Sequence, residues 1–179
     1  TRLISKTSAG APADDDSDDP AISANGRFVA FESNATNLPA GALHADDMVY
    51  VHDRKTRKTR LVSKSSTGAP ADADADDASI SPEGRFVAFE SSADNLPGGA
   101  VATDDLAYVH DRKSGKTVLV SKAANGAPAN DFAGIPSASR ALSSRGAFVV
   151  FTTQATNLPG WDVGSNELVY IRGALRWPR

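Results

Sequence analysis

The phrase "AISANGRFVAFESNATNLPAGA" at 21–42 returns as "SISPEGRFVAFESSADNLPGGA" at 79–100 and as "ALSSRGAFVVFTTQATNLPGW" at 141–161. Gly26 and Gly84 hold the same place in it, 58 residues apart, and Gly146 follows 62 later because the third copy gains four residues. The flanks keep step: Leu3 matches Leu61, Gly10 matches Gly68 and Gly126, and Tyr50 matches Tyr108 and Tyr170. Copies at 1–58, 59–116 and 117–179 therefore fill one domain, residues 1–179. A repeat of this length restricts the fold to a solenoid, a propeller or an array, because one unit cannot bury its apolar face alone.

Periodicity within the copies narrows the choice. "TVLVSK" (117–122), "ASIS" (78–81), "RFVAFES" (85–91) and "DLAYVHD" (105–111) are short, rich in β-branched and aromatic residues, and bounded by Gly, Pro, Asn or Asp. No window carries an apolar stripe of helical period. Four short strands per copy make a propeller blade. "FVAF" is apolar on both faces, which requires a neighbouring sheet on each side. The spacing predicts an all-β propeller of three four-stranded blades. Tight turns are expected at Pro82-Glu83-Gly84, joining a blade's first two strands, and at Lys113-Ser114-Gly115 before its outermost one.

The string Ser81-Pro82-Glu83-Gly84-Arg85-Phe86-Val87-Ala88-Phe89 resembles the "SPDGRxIAF" signature of the TolB-like propeller repeats of bacteria. Tyr108-Val109-His110-Asp111-Arg112, followed by Gly115-Lys116-Thr117, resembles that family's third strand and the turn after it. The third copy departs from the pattern, with Arg145 in the acidic position and Gly173 in place of the Asp. The link between second and third strands is longer than in the basic repeat and is similar to the actinobacterial-type version containing "A-x-NL". The resemblance implies a secreted or periplasmic propeller that binds proteins or ligands, generally without catalysis of its own.

A net charge of −3 gives no reason to expect nucleic acid or an anionic membrane as partner. The longest apolar runs are far too short for a transmembrane segment. With no cysteine, disulfides, thiolate zinc sites and cysteine nucleophiles are excluded together. The chain opens on Thr1 without a methionine and shows no signal peptide, consistent with removal of an export signal or another N-terminal segment. Its cysteine-free composition, rich in Asp, Ala, Gly and Ser, fits an exported bacterial protein, extracellular or periplasmic.

The small net charge conceals a polarised disc. Strands a to d, counted outward from the axis, alternate in direction, so a–b and c–d turns share one face while b–c and d–a links share the other. The d–a links are "APADDDSDDP", "APADADADDA" and "APANDFAGIP", and the b–c links end in Asp46-Asp47, Asp104-Asp105 and Asn166-Glu167. The opposite face receives Arg27, Arg85, Arg145, Arg112, Lys113, Lys116 and the basic run 54–58. Asp72, Asp74, Asp76 and Asp77, with Asp14, Asp16 and Asp18 in the first copy, set carboxylates at the spacing a hard cation such as Ca²⁺ uses. The sixth-position Gly and closing Glu of an EF-hand are missing, and a solvated acidic loop is the competing reading.

His52-Asp53 and His110-Asp111 sit at the end of strand c, where a general base is conceivable, but the third copy has Arg172-Gly173 and no nucleophile elbow occurs. These histidines are read as structural, and His44 as an exposed loop residue. The Asn-Leu-Pro triplets at 37–39, 95–97 and 157–159 are likewise read as turn framework. Ser23, Ser81 and Ser143 are expected on strand a, lining a central channel. Trp161, in a b–c link of the acidic face that also carries Asp104 and Asp105, either covers the irregular third blade or offers an aromatic platform for a sugar or a partner.

The ends carry one more expectation. "TRLISK" (1–6) matches the outer strands "TRLVSK" (59–64) and "TVLVSK" (117–122), whereas the third copy stops soon after "LVYIRG" (168–173). Three blades leave two apolar flanks, so the chain is expected to pair with a second copy as a six-bladed homodimeric ring, also if it is part of a longer propeller. The leading function is a non-catalytic binding or scaffolding module presenting its acidic face or channel to a protein, peptide or cation. A lectin-like propeller and a hydrolase-associated propeller are the alternatives.

Overall fold

The computed structural model describes residues 1–40, 47–99, 105–136, 141–160 and 166–173. Blade 1 is an antiparallel meander of β1 (Ser17–Ile22), β2 (Phe28–Ser33), β3 (Met48–Asp53) and β4 (Lys58–Leu61), paired in that order. Blade 2 repeats it with β5 (Ala75–Ile80), β6 (Phe86–Ser91), β7 (Leu106–Asp111) and β8 (Lys116–Leu119). Blade 3 contains β9 (Ala133–Gly134), β10 (Phe148–Thr153) and β11 (Leu168–Gly173). The described residues are all-β, with one 3₁₀ turn at Ser144–Gly146.

Blade 3 corrects the expectation of four strands in every blade. Among the described residues its inner side shows only β9 and the isolated bridge Leu142↔Val149, and no outer strand follows β11. Thr1–Lys6, expected as an orphan outer strand, has no sheet to join, and only Lys6 bridges Pro12. The same bridge recurs as Lys64↔Pro70 and Lys122↔Pro128.

Burial follows from stacking. β6 and β7 lie between two blades and are buried along their whole length, on both faces. The equivalent β11 has no blade on its outer side among the described residues and reads alternately half-buried and exposed. Within each blade an aromatic pair stacks across neighbouring strands, Phe31–Tyr50, Phe89–Tyr108 and Phe151–Tyr170, with centroids 5.6–5.8 Å apart.

Blades are joined by repeated contacts. Ala75 N–H donates to Asp47 O at 2.9 Å between blades 1 and 2, and Ala133 N–H donates to Asp105 O at 2.8 Å between blades 2 and 3. The inner turns of blades 2 and 3 also abut a phenylalanine of the preceding blade. A Cβ added to Gly84 (φ +74°) would lie 2.1 Å from Phe28, and one added to Gly146 (φ +59°) would lie 2.6 Å from Phe86. Glycine is required there twice over, by its backbone and by the ring against it.

Candidate functional site

The two ends of the blades differ in charge, as the alternation of strands requires. On the basic end, Arg54 of the β3–β4 turn donates through Nη1 to Gly26 O of the β1–β2 turn at 2.5 Å. On the acidic end, Asp14 of the link into β1 meets the β2–β3 link. Its carboxylate accepts from Thr36 N–H at 2.8 Å, Thr36 Oγ1 at 2.8 Å and Asn37 N–H at 3.2 Å, and the Thr36 bond leads in holding its pKa down. Asp72 accepts from Asn95 N–H at 3.3 Å, and Asn130 receives Thr156 N–H at 2.9 Å in the third copy. In return Asn37, Asn95 and Asn157 donate their side-chain amides to the carbonyls of Pro12, Pro70 and Pro128. Asp14 and Asp72 are thus half of a clasp that fixes the Asn-Leu-Pro turn. The clasp needs an acceptor rather than a charge, so Asn130 can replace them.

The remaining acidic residues gather at the inner corner of blade 2. Asp74 Oδ1 accepts from Asp47 N–H at 2.9 Å. Asp76 faces Glu90 across the β5–β6 ladder, at a bulge where Asp77 takes φ +49°. Asp76 Oδ1 is buried without a hydrogen-bond partner among the described residues. Burial, reinforced by Asp105, Asp77, Asp74 and Asp47, pushes the Asp76 carboxyl up to about 7. Asp16 and Asp18 lie in the equivalent segment of the first copy, where Asp18 opposes Glu32 in the ladder. Among the described residues no three His, Asp or Glu side chains converge as a metal cluster.

Two residues that the sequence reading passed over stand out. Glu32 and Glu90 are buried near the ends of β2 and β6 and reach across to the next blade. Glu32 Oε1 accepts from Ala78 N–H and Glu90 Oε2 from Ile135 N–H, both at 3.0 Å. Burial raises both carboxyls above the usual range, Glu32 to about 8. The signal was present: one acidic residue repeated at the same place in an otherwise apolar run, with Thr152 in the third copy.

The serines need correcting. Ser23 and Ser81 follow β1 and β5 rather than lying on them, and both are buried although no further blade closes the ring here. Ser23, Ser81 and Ser143 accept through Oγ from the N–H of Phe28, Phe86 and Phe148 at 2.9–3.1 Å. Each hydroxyl thereby closes the turn that follows the inner strand. Asp105 contributes its carbonyl to the inter-blade bond with Ala133. Trp161, Asp104, Asp46 and His44 lie outside the described residues.

The His-Asp pairs are framework. His52 Nδ1 and His110 Nδ1 each share a 2.9 Å hydrogen bond with the hydroxyl of Thr59 and Thr117. Burial brings His110 down to about 4, so the ring is neutral at physiological pH. Asp53 and Asp111 bind arginine, not histidine: Arg27 meets Asp53 through two bonds of 2.9 and 2.7 Å, and Arg85 meets Asp111 through two of 2.7 and 2.6 Å. In the third copy Ala147 and Gly173 replace both members together, and Arg172, in the histidine position, donates to Lys122 O at 2.7 Å.

Known structures similar to this chain are β-propeller proteins. TolB from Acinetobacter baumannii is 14% identical over 89% of the chain, with a TM-score of 0.48, and the match takes up 30% of that protein. The tricorn protease is 17% identical over 75% of the chain (TM-score 0.47, 10% of that protein). An acylaminoacyl peptidase from Pyrococcus horikoshii is 15% identical over 76% of it (TM-score 0.43, 17% of that protein). The chain spans less than a third of each. No protein-family model matches it, and no curated protein does.

Proposed function

We propose that this chain is a non-catalytic β-propeller binding module whose three blades pair with a second copy to close a six-bladed ring. One observation carries the reading. The exposed apolar residues of its flanks are the repeat positions that interior blades bury. Val169 and Ile171, 77% and 67% exposed, correspond to Ala107 and Val109 of β7, which are fully buried. Ile22, 61% exposed, corresponds to the buried Ile80, and the exposed Leu3 to the buried Leu61 and Leu119. The flanks are opposite halves of one interface. Phe28 meets Gly84 and Phe86 meets Gly146, while Phe148 is exposed and a Cβ on Gly26 would meet only Arg54 at 3.4 Å and Ile22 at 3.9 Å. A second copy supplies each missing half under two-fold symmetry. The buried histidines and paired aspartates support a role without catalysis, and the chain is proposed to be exported.

The acidic end is the binding surface of this module, for a basic peptide or a cation such as Ca²⁺. Its support is the crowd of Asp47, Asp74, Asp76 and Asp77 at one corner, whose repulsion a positive ligand relieves. Calorimetric titration with an oligolysine peptide, and thermal melts with millimolar Ca²⁺, test it. Binding that weakens with salt, or a melting point raised by Ca²⁺, is expected. Silence in both assays refutes the acidic-face assignment.

A further inference from the structure

The groove between blades 1 and 2 at the basic end encloses about 430 Å³, within the range of small-molecule pockets. Five cations line it, Arg27, Lys58, Arg60, Lys64 and Arg112, against one carboxylate, Asp53, which Arg27 already holds in a bidentate pair. Phe28, Leu61 and Val62 form its apolar wall. We propose that this groove binds a small phosphate-bearing molecule.

The guanidinium of Arg112 stacks on one face of Phe28, 4.4 Å from the ring centroid, while Arg27 stacks on the same ring at 4.6 Å. Nη1 donates to Gly84 O, and the salt bridges of the described residues go to Arg27 and Arg85, not to Arg112. A guanidinium has five donors in a planar fork that matches phosphate oxygens in pairs. Here it is half-buried beside a second arginine, with one carbonyl as its acceptor. Burial, and the nearby Arg60 and Arg27, bring Arg112 down to about 10 despite Asp53, and burial with Arg60 also lowers Lys64. Both shifts describe a cluster of positive charge short of anions, which a dianionic group neutralises.

The repeat supplies an internal control. Between blades 2 and 3 the same positions hold Arg85, Lys116 and Lys122, but Arg60 becomes Val118 and Arg112 becomes Ala174. The blade architecture therefore does not need the two extra arginines. Three of the five cations recur on the open N-terminal flank, where Arg2, Lys6 and Arg54 line a cleft beside His52. The main groove lies within one chain and does not depend on a second copy.

The test is titration calorimetry and melting of the whole chain with inorganic phosphate, pyrophosphate and citrate, against chloride at matched ionic strength. Pyrophosphate is expected to bind and to raise the melting point. Arg60→Val copies the residue of the next interface and so preserves the fold. Loss of one charge-assisted contact is expected to weaken pyrophosphate binding about tenfold. Arg112→Ala, copying Ala174, is expected to weaken it at least as much, whereas Lys55→Ala, removing a charge on the same end outside the groove, leaves it unchanged. No binding by the unaltered chain, equal binding by Arg60→Val, or citrate binding as tight as pyrophosphate overturns the proposal.

Discussion

Replacing Gly84 by Ala should cost far more than replacing Gly99 by Ala, although both glycines have positive φ, +74° and +63°. The left-handed backbone costs an alanine about 1–2 kcal/mol at either place. At Gly99 nothing further is added, since the new Cβ meets only Asp94 O at 3.8 Å. At Gly84 the Cβ would overlap Cδ2 of Phe28 at 2.1 Å and Cγ at 2.8 Å. That ring cannot swing aside freely, because Arg27 and Arg112 stack on it at 4.6 and 4.4 Å. Overpacking of this kind adds about 1–3 kcal/mol. Gly84→Ala is thus expected to lose about 2–5 kcal/mol and Gly99→Ala about 1–2 kcal/mol, read from urea midpoints at unchanged m. In a cycle with Phe28→Ala, part of the Gly84 penalty should disappear, because the truncated side chain vacates the overlap. Losses for the two glycine variants that agree within about 0.5 kcal/mol would refute the inter-blade reading of the turn.

Two electrostatic predictions follow from the same contacts. Glu32, raised from 4.5 to about 8, keeps its proton in the folded chain over a range where the unfolded chain has lost it. Stability linked to this group therefore falls as pH rises from 4.5 towards 8, and Glu32→Gln should stabilise the protein by on the order of 1–2 kcal/mol more at pH 8 than at pH 5. Identical gains at both pH values in denaturant melts contradict this. Arg85→Ala strands Asp111, whose side chain is fully buried, and is expected to cost about 3–5 kcal/mol, with a smaller loss for Arg27→Ala, whose partner Asp53 is partly exposed. Burial raises Asp111, but Arg85, Ser114 and Lys113 together hold it down at about 2, so this stability is present above pH 3.8 and fades as pH falls towards 2. Thermal melts that rank the two variants the other way round exclude the assignment.

What the sequence disclosed was whatever the repeat states three times. "FVAF" required a neighbour on both faces, and β6 has one on each. The glycines at 26, 84 and 146 announced left-handed turns, and all three have positive φ. Contacts that join distant positions were harder to read. The Arg27–Asp53 and Arg85–Asp111 pairs span 26 residues each, and only their joint loss at Ala147 and Gly173 marks them in the sequence. The Asp-rich links of the first two copies read either as metal loops or as solvated acidic loops; Asp14 and Asp72 turn towards the Asn-Leu-Pro segments, while Asp74 and Asp76 turn towards the blade corner. Alternating spacing cannot separate these roles, because Asp72 and Asp74 precede β5 in an irregular link where a strand's alternation does not hold.

The pairing of flanks is tested most directly by native mass spectrometry of the 179-residue chain and of its Val169→Lys/Ile171→Lys variant at micromolar concentration. A charge placed on either residue would be buried unpaired in the closed ring but fully solvated in a single chain, where both are now exposed. The account predicts a species of twice the 18.6 kDa chain mass for the unaltered protein, reduced to the single mass in the variant with its far-UV spectrum unchanged. A stable monomer of the unaltered chain, or a dimer indifferent to both lysines, would contradict it.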